Sequence, residues 1–347
     1  MIDSQIRVGI AGLGKMGLVH AGILNGLRGS RVVAAADPSK WARSALGELT
    51  GSVEMFTDAE DMIRSAELDA VVIATPVDQH VPMCMACVDK RLPFFVEKPL
   101  TTQAGQAEEL VQQLRERRMA HMVGYMTRYV DSFVKGHELV RSGCLGTIRR
   151  VTATIYVSQL FRRGKGWRYD KTLSGGGVLL SQGSHLLDLL TWYLGPVARV
   201  NGRVQSVYSK EVEDFAHIFL EFSSGVTGWV DSSWSVRFRR MVEITIELQG
   251  VDGNLIVTDD TVRLYLERGF GELSPGWNVW NAVDLYRPVE IDIGGPQYTR
   301  EDAAFLDAVR MERPGDIDMD QAIHVQRIVD AAYTSSAANG APEEVSA

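Results

Sequence analysis

The sequence predicts an α/β N-terminal domain with a doubly wound parallel sheet, followed by an α+β C-terminal domain with a large, mainly antiparallel open sheet. A chain of 347 residues exceeds the ~250 residues at which a single core stops growing, so two domains are expected. Short apolar runs alternate with amphipathic segments up to about residue 142, as in βαβ units. After residue 146 the alternation has period two, which indicates antiparallel strands. We assign residues 1–125 to the first domain and 126–340 to the second, whose last helices could pack back on the first.

Five apolar runs of the first domain have the length and composition of buried parallel strands. Helices are expected to fill the gaps between them. One helix has a start signal, Thr57 followed three residues later by Glu60, which is the spacing of a capping box. Gly143 is expected to end the last helix of this half. The predicted strands span residues 6–11, 31–36, 70–74, 93–97 and 120–125.

The second domain is predicted to be an antiparallel sheet interrupted by one long helix at residues 178–194. Helical patterns return at residues 299–310 and 319–333. Residues 159–171 and 269–281 are predicted to be loops that line a ligand pocket. The final segment, GAPEEVSA, is predicted to be frayed.

Composition and charge exclude several classes of protein. A formal charge of −8 gives no broad basic field, which disfavours nucleic-acid binding and leaves a small-molecule partner. The sequence shows no signal peptide and no bilayer-length apolar run, so we expect a cytoplasmic protein without a membrane partner. Cys84 and Cys87 form a Cys-x-x-Cys pair, but their helical spacing favours packed thiols over a redox or zinc site, and no metal site is expected.

Gly12, Gly14 and Gly17 have G-x-G-x-x-G spacing between a predicted strand and an amphipathic helix. The first glycine permits a tight turn, the second lets the backbone approach a pyrophosphate, and the third allows close helix packing. This context predicts a dinucleotide cradle that includes the intervening Lys15 and Met16. The alternative is three glycines that merely turn a loop.

Asp37 lies twenty residues beyond Gly17, at the end of the next apolar strand. A carboxylate there accepts hydrogen bonds from a ribose diol and repels a 2′-phosphate, so NAD is expected rather than NADP. Lys40 and Arg43 are near enough in sequence to soften that preference, and NADP remains possible.

Two predicted strands are followed directly by polar or proline residues. Thr75 and Pro76 follow one strand, whereas Glu97, Lys98 and Pro99 stand at the end of another. Ligands of doubly wound sheets bind outside these carboxyl ends. A lysine there can hydrogen-bond a substrate hydroxyl and stabilise its alkoxide as hydride leaves carbon. Lys98 is therefore the first catalytic candidate, and the competing interpretation is a solvated lysine that begins the next helix.

The stretch SGGGVLLSQGSHLLDLLTWYLG supplies a second group of candidates. His185 and Asp188 lie three residues apart, and Ser181 precedes the histidine by one turn, so one helix face can present all three. A histidine near its ordinary pKa of ~6.5 can accept an alcohol proton at neutral pH. The competing interpretation is a hydrogen-bonded core histidine.

The glycine turn, VVIATP, EKPL, VGYMTRY and GGGVLLSQGSHLLDLLTW together resemble the glucose-fructose oxidoreductase, inositol dehydrogenase and rhizopine catabolism family, Gfo/Idh/MocA. The resemblance extends over nearly the whole chain. It implies a Rossmann domain, a mainly antiparallel substrate domain, a nicotinamide cofactor and redox chemistry at a sugar or cyclitol carbon. It also implies a homodimer or homotetramer formed through the open sheet, and a cis bond before Pro99.

The resemblance also implies roles for individual residues. Lys98 and His185 match the proton-handling pair of the family, while the segment Gly166 to Arg168 resembles one that reaches the cofactor in sugar-oxidising members. The expected cofactor contacts are Gly12, Gly14, Lys15, Met16, Gly17, Asp37, Thr75, Pro76, His80, Glu97, Trp167 and Arg168. The expected substrate contacts are Lys98, Arg128, Tyr156, Ser181, His185 and Asp188.

Ser181 departs from the family pattern, because many members have aspartate at this position. A serine can orient the imidazole but cannot stabilise its charge as a carboxylate does. Either another carboxylate such as Asp188 takes over this task, or His185 is a weaker base and Lys98 carries more of the proton transfer.

The leading hypothesis is an NAD-dependent dehydrogenase acting on a secondary alcohol of a sugar, cyclitol or related polyol. One alternative is an NAD-dependent glycosidase, in which transient oxidation assists loss of a leaving group. The other is a catalytically silent regulator that senses NAD, although keeping both Lys98 and His185 argues against a pure binding module.

Overall fold

The computed structural model describes residues 5–44 and 52–346. These residues divide into two units, each with its own sheet. The first unit is Met1–Met126 with Pro288–Ile323, and the second is Thr127–Arg287 with His324–Ala347. The chain therefore enters each unit twice.

The strands in chain order are β1 Ile6–Ala11, β2 Ser30–Ala36, β3 Glu54–Phe56, β4 Ala70–Ile73, β5 Phe94–Glu97, β6 His121–Gly124, β7 Ile148–Tyr156, β8 Val197–Gln205, β9 Phe215–Phe222, β10 Thr227–Ser233, β11 Glu243–Gly250, β12 Gly253–Thr258, β13 Thr261–Leu266, β14 Gly276–Asn281 and β15 Glu343–Glu344. The helices are α1 Lys15–Gly26, α2 at residues 40–44, α3 Ala59–Ser65, α4 His80–Asp89, α5 Glu108–Arg117, α6 Asp131–Ser142, α7 Lys171–Ser174, α8 Ser184–Leu194, α9 Ala282–Leu285, α10 Pro296–Arg310 and α11 Met319–Ala337. A π-helical turn, Leu179–Gly183, leads directly into α8.

The sheet of the first unit is parallel, with the strand order β3-β2-β1-β4-β5-β6. This is the doubly wound order, in which the direction of winding reverses between β1 and β4. The strands β4, β5 and β6 are buried along their whole length, as expected for strands covered on both faces. The predicted α/β fold is confirmed.

The chain segment that returns to the first unit completes its core. Phe305 on α10 packs edge-on against Phe95 of β5, with ring centroids 5.8 Å apart. Val123 lies in the edge strand β6, and its N–H donates to the carbonyl of Ile317 at 2.9 Å. A helix more than 170 residues further along the chain therefore covers the strands that carry the predicted site.

The second unit has a nine-stranded sheet with the order β14-β13-β12-β11-β7-β10-β9-β8-β15. Every neighbouring pair is antiparallel except β7 and β10, so the prediction of a mainly antiparallel sheet is confirmed. Burial alternates along these strands, as in β7, where Val151, Ala153 and Ile155 are buried and the residues between them are not. The helices α6 and α8 pack on the buried face.

Two local predictions for the first unit need correction. The short strand β3 was not predicted, because three residues are too few to show an alternating pattern. The N-cap of α3 is Asp58 rather than Thr57, since the Asp58 carboxylate accepts from the N–H of Asp61 at 3.0 Å. Gly143 ends α6 in the left-handed conformation, as predicted.

Two predictions for the second unit are also wrong. Residues 276–281 form strand β14 rather than a loop, because Trp277 pairs with Tyr265 and Val279 with Arg263 along the edge of the sheet. The C-terminal segment is not frayed at Glu343 and Glu344, which pair with β8 as strand β15. The predicted helix at residues 178–194 is present, but its first turn is π-helical.

Cys84 and Cys87 are fully buried on α4, and burial raises the pKa of both thiols. A raised pKa disfavours the reactive thiolate, in agreement with packed thiols. Within residues 5–44 and 52–346, none of the helices combines the length and the apolar character needed to cross a bilayer.

Candidate active site

The glycine turn between β1 and α1 is built by close backbone contacts. Gly12 has a φ of +93°, and a Cβ there would lie 2.6 Å from the carbonyl oxygen of Ala74. A Cβ on Gly17 would lie 1.9 Å from the carbonyl oxygen of Gly12. A Cβ on Gly14 would have nothing within 4 Å. The first and third glycines are therefore required by packing, whereas the second borders open space.

The open space at Gly14 lies at the N-terminus of α1, which has no side-chain cap. Uncapped amide groups at a helix N-terminus hydrogen-bond readily to phosphate oxygens. Lys15 and Met16 form the first turn of the same helix. These features fit the pyrophosphate of a dinucleotide.

Asp37 joins the end of β2 to the glycine turn. Its Oδ2 accepts from the N–H of Leu13 at 2.8 Å, and its Oδ1 accepts from the N–H of Ser39 at 2.8 Å. The carboxylate is thus fixed beside the turn, where it can still accept hydrogen bonds through its other lone pairs. Its position fits a ribose diol.

The loops after β4 and β5 are linked by His80. Its Nδ1 lies 2.9 Å from the carbonyl oxygen of Pro99, and its Nε2 lies 3.0 Å from that of Thr75. His80 is buried, and burial lowers its pKa, although both carbonyls raise it. Its direct contact with the cofactor stays a prediction, and its observed contacts hold together the two loops at the carboxyl ends of the strands. The bond between Lys98 and Pro99 is cis, as predicted.

Glu97 is held from both sides. Its Oε2 accepts from the backbone N–H of Lys98 at 3.1 Å, and its Oε1 lies 3.1 Å from Nε2 of His20. Nδ1 of His20 lies 2.7 Å from Oδ1 of Asp302 on α10. Sequence reasoning missed His20 and Asp302, because no motif connects residues 282 positions apart.

In the second unit, Arg128 and Asp188 form a buried bidentate ion pair, with nitrogen to oxygen distances of 2.8 and 2.6 Å. The guanidinium carbon of Arg128 also lies 5.5 Å from the ring centroid of Trp192. Burial raises the pKa of Asp188, and Arg128 opposes this rise. The two predicted substrate contacts thus hold each other, one turn along α8 from His185.

His185 lies in the first turn of α8, and Ser181 lies in the π-helical turn before it. The start of this segment is anchored by Glu213, whose carboxylate accepts from the N–H groups of Gly177 at 2.8 Å and Leu179 at 3.0 Å. A Cβ on Gly177 would lie 1.9 Å from the carbonyl oxygen of Glu213, so the glycine is required here. The position of His185 therefore depends on a carboxylate that the sequence did not single out.

The remaining predicted contacts lie elsewhere on the second unit. Tyr156 ends β7 on the face opposite to the buried one, near Asp231, and burial followed by the charge of Asp231 raises its pKa. Trp167 is 46% exposed and lines a cavity of about 530 Å³ together with Arg163, Lys165 and Lys210. The guanidinium of Arg168 lies 5.8 Å from the Trp167 ring centroid.

Two family profiles match this chain. One, described as an oxidoreductase family with an NAD-binding Rossmann fold, matches residues 6–125. The other, described as the GFO/IDH/MocA C-terminal domain, matches residues 133–256. Together they cover more than two thirds of the chain.

Curated relatives are similar over different shares of their length. An NAD(+)-dependent scyllo-inositol 2-dehydrogenase of Bacillus subtilis is 23% identical over 263 residues, which are 74% of this chain and 75% of that protein. An inositol 2-dehydrogenase of Rubrobacter xylanophilus is 33% identical over 198 residues, which are 55% of this chain and 53% of that protein.

Solved structures share the fold over the whole length. Levoglucosan dehydrogenase in complex with NADH and levoglucosan has a TM-score of 0.88 at 19% identity, covering 99% of this chain and 100% of that chain. GenD2 from gentamicin A biosynthesis, in complex with NAD, has a TM-score of 0.82 at 26% identity, covering 100% of this chain and 98% of that one.

Proposed function

Because this chain belongs to the GFO/IDH/MocA family of NAD-binding oxidoreductases, we propose that it transfers a hydride between a secondary alcohol of a sugar, cyclitol or related polyol and NAD. The observation that carries this proposal is the position of Lys98, directly after β5 at the carboxyl edge of a doubly wound sheet. The names of the relatives, inositol and levoglucosan dehydrogenases among them, support an alcohol of this class.

The first unit would hold the cofactor. The amide groups at Gly14, Lys15 and Met16 are suited to the pyrophosphate, and Asp37 to the adenosine ribose. Thr75, Pro76 and Glu97 stand at the neighbouring strand ends and are proposed to contact the cofactor. Bound NAD would supply the hydride acceptor at nicotinamide C4.

We infer that Lys98 hydrogen-bonds the hydroxyl of the carbon to be oxidised and stabilises its developing negative charge. His185 accepts the hydroxyl proton as general base. Ser181 can orient the imidazole as a hydrogen-bonding group, while Arg128 and Asp188 orient the helix face beside it. Trp167 and Arg168 are proposed to reach the cofactor, and Tyr156 to contact the substrate.

We further propose a cytoplasmic homodimer or homotetramer assembled through the open face of the nine-stranded sheet. Exposed aromatic side chains support this assignment, because Trp229 on β10 and Trp277 on β14 are both more than half exposed. Exposed aromatic side chains of this kind are typical of protein interfaces.

The test is NADH formation, followed by the absorbance of the reduced nicotinamide, with NAD and a panel of sugars, cyclitols and sugar acids. At least one substrate should give NADH, and Lys98→Met should lower kcat by about 10²- to 10⁴-fold. Lys90→Met is the matched control, because Lys90 is an exposed lysine at the end of α4 in the same unit. NAD binding without any turnover would contradict the proposal in favour of a regulator, and release of an aglycone without NADH would favour a glycosidase.

A further inference from the structure

His20 is a fully buried histidine whose two ring nitrogens both face carboxylates. Nδ1 lies 2.7 Å from Oδ1 of Asp302, and Nε2 lies 3.1 Å from Oε1 of Glu97. The side chains of His20 and Asp302 have almost no exposed surface, and Glu97 is 9% exposed. Water therefore has little access to screen these interactions.

The geometry requires one proton more than a neutral imidazole between two carboxylates would carry. A neutral imidazole donates through one nitrogen only, so a second carboxylate would face a lone pair. The additional proton lies between Nδ1 of His20 and Oδ1 of Asp302, which are 2.7 Å apart. Whether His20 or Asp302 carries this proton, the Nε2–H group of His20 can donate to Glu97. Burial lowers the pKa of His20, but the attraction of Asp302 and Glu97 outweighs this and raises it well above its ordinary value.

Glu97 connects this buried pair to the catalytic lysine. One of its oxygens is held by His20 and the other accepts from the backbone N–H of Lys98 at 3.1 Å. Phe95 supports the imidazole, with ring centroids 5.0 Å apart, and Gly124 leaves room for the carboxylate. Burial alone would raise the pKa of Glu97, but His20 and Lys98 together lower it.

We propose that the buried series Asp302, His20 and Glu97 fixes the backbone that presents Lys98, and that His20 and Asp302 are positioning residues for hydride transfer. The inference rests on the proposed function of Lys98. A buried ionic series is a poor source of stability, since apolar residues of similar volume are often equally good or better. The series contacts the backbone of Lys98, the lysine assigned to the reacting hydroxyl. We therefore infer that it positions this lysine rather than stabilising the fold.

The matched pair His20→Leu and His121→Gln separates positioning from packing. His121 is also a buried histidine of the first unit, but among the described residues its hydrogen bonds are with backbone groups, the carbonyl of Met119 and the N–H of Met319. We expect His20→Leu to lower kcat by about 10²-fold, as small misplacements of catalytic groups do. KM for NAD should change less than about twofold, and His121→Gln should keep the wild-type kcat.

A comparison of two Asp302 variants provides a second test of the positioning role. Asp302→Asn keeps an oxygen that can accept from His20 and should retain more activity than Asp302→Leu, with kcat at least about fivefold higher. If His20→Leu does not fold, this comparison still decides the question. Equal kcat values for Asp302→Asn, Asp302→Leu and the wild type would overturn the proposal, as would an unchanged kcat in folded His20→Leu.

An NMR measurement that needs no turnover tests the positioning of Lys98 independently of the proposed function. After reductive methylation with ¹³C-formaldehyde, the NMR signal of Lys98 is assigned by its loss in Lys98→Arg. Its chemical shift should move in His20→Leu and stay in place in His121→Gln. A wild-type protein that oxidises no polyol would refute the proposed function, whereas an unmoved Lys98 signal would refute the positioning role.

Discussion

At the scale of single residues, Asp37 has an observed structural role and a proposed selective one. Its two oxygens accept from the N–H groups of Leu13 and Ser39, which fixes the glycine turn relative to the end of β2. In the proposed site the same negative charge would repel the 2′-phosphate of NADP. An amide in its place would keep much of the hydrogen bonding but lose the charge.

We therefore expect Asp37→Asn to lower the ratio of kcat/KM for NAD to that for NADP by about tenfold, or ~1.4 kcal/mol. The measurement is steady-state kinetics with both cofactors at one ionic strength. Asp58→Asn is the control, because Asp58 caps α3 and asparagine caps equally well. An unchanged ratio of kcat/KM for NAD to that for NADP in Asp37→Asn would show that this carboxylate does not discriminate between the two cofactors.

The proposed cofactor and catalytic residues of the first unit have local signals in the sequence. Gly12, Gly14 and Gly17 lie within six positions, and Lys98 follows its strand directly. The partners of Glu97 could not be predicted, because His20 and Asp302 meet it only after the sheet and α10 have packed. A lone histidine in an apolar helix reads as an ordinary core residue until its carboxylate neighbours are known.

At the scale of elements, the turn between β1 and α1 shows that its glycines serve different purposes. Gly17 has no room for a Cβ, since the carbonyl of Gly12 would lie 1.9 Å away, whereas Gly14 has nothing within 4 Å and an ordinary negative φ. Packing fixes the third glycine. Packing among the described residues does not require the second glycine, whereas the proposed close approach of a pyrophosphate to the backbone would.

This difference predicts opposite effects for two alanine variants. Gly14→Ala should leave the free energy of unfolding unchanged within about 0.5 kcal/mol, yet weaken NAD binding by at least about tenfold. Gly17→Ala should destabilise the fold by more than ~2 kcal/mol. Urea unfolding and NAD titration measure both quantities. Wild-type NAD affinity in Gly14→Ala would show that the pyrophosphate does not bind at this turn.

Element predictions succeeded where an apolar run was continuous and failed where the run was only three residues long, as in β3, or interrupted by polar residues, as in β14. The strands β1, β4 and β5 were placed within one residue of their observed ends, because buried runs bounded by turns are distinctive. The strand β14 was mistaken for a loop, since aromatic and asparagine residues alternate there beside many glycines. The π-helical turn that contains Ser181 leaves no signal in the helical period of the sequence.

At the scale of the whole molecule, the chain forms two units and returns to the first after most of the second is complete. The fold class followed from the change in hydrophobic period near residue 146. For the last helices the sequence only allowed packing on the first domain, because an amphipathic helix shows which face is buried but not which sheet it covers. This return brings Asp302 to His20, which contacts Glu97 at the end of β5, and so links the support of the proposed catalytic lysine to a distant part of the chain.

We propose that this protein moves a hydride from an alcohol carbon to NAD with the help of Lys98. The most direct measurement uses a polyol from the active panel, deuterated at the oxidised carbon, and follows the label by mass spectrometry. We expect one deuterium in the reduced nicotinamide for each ketone formed, and a strongly reduced rate in Lys98→Met. Ketone formation with no deuterium in the nicotinamide, or an unchanged rate in Lys98→Met, would contradict it.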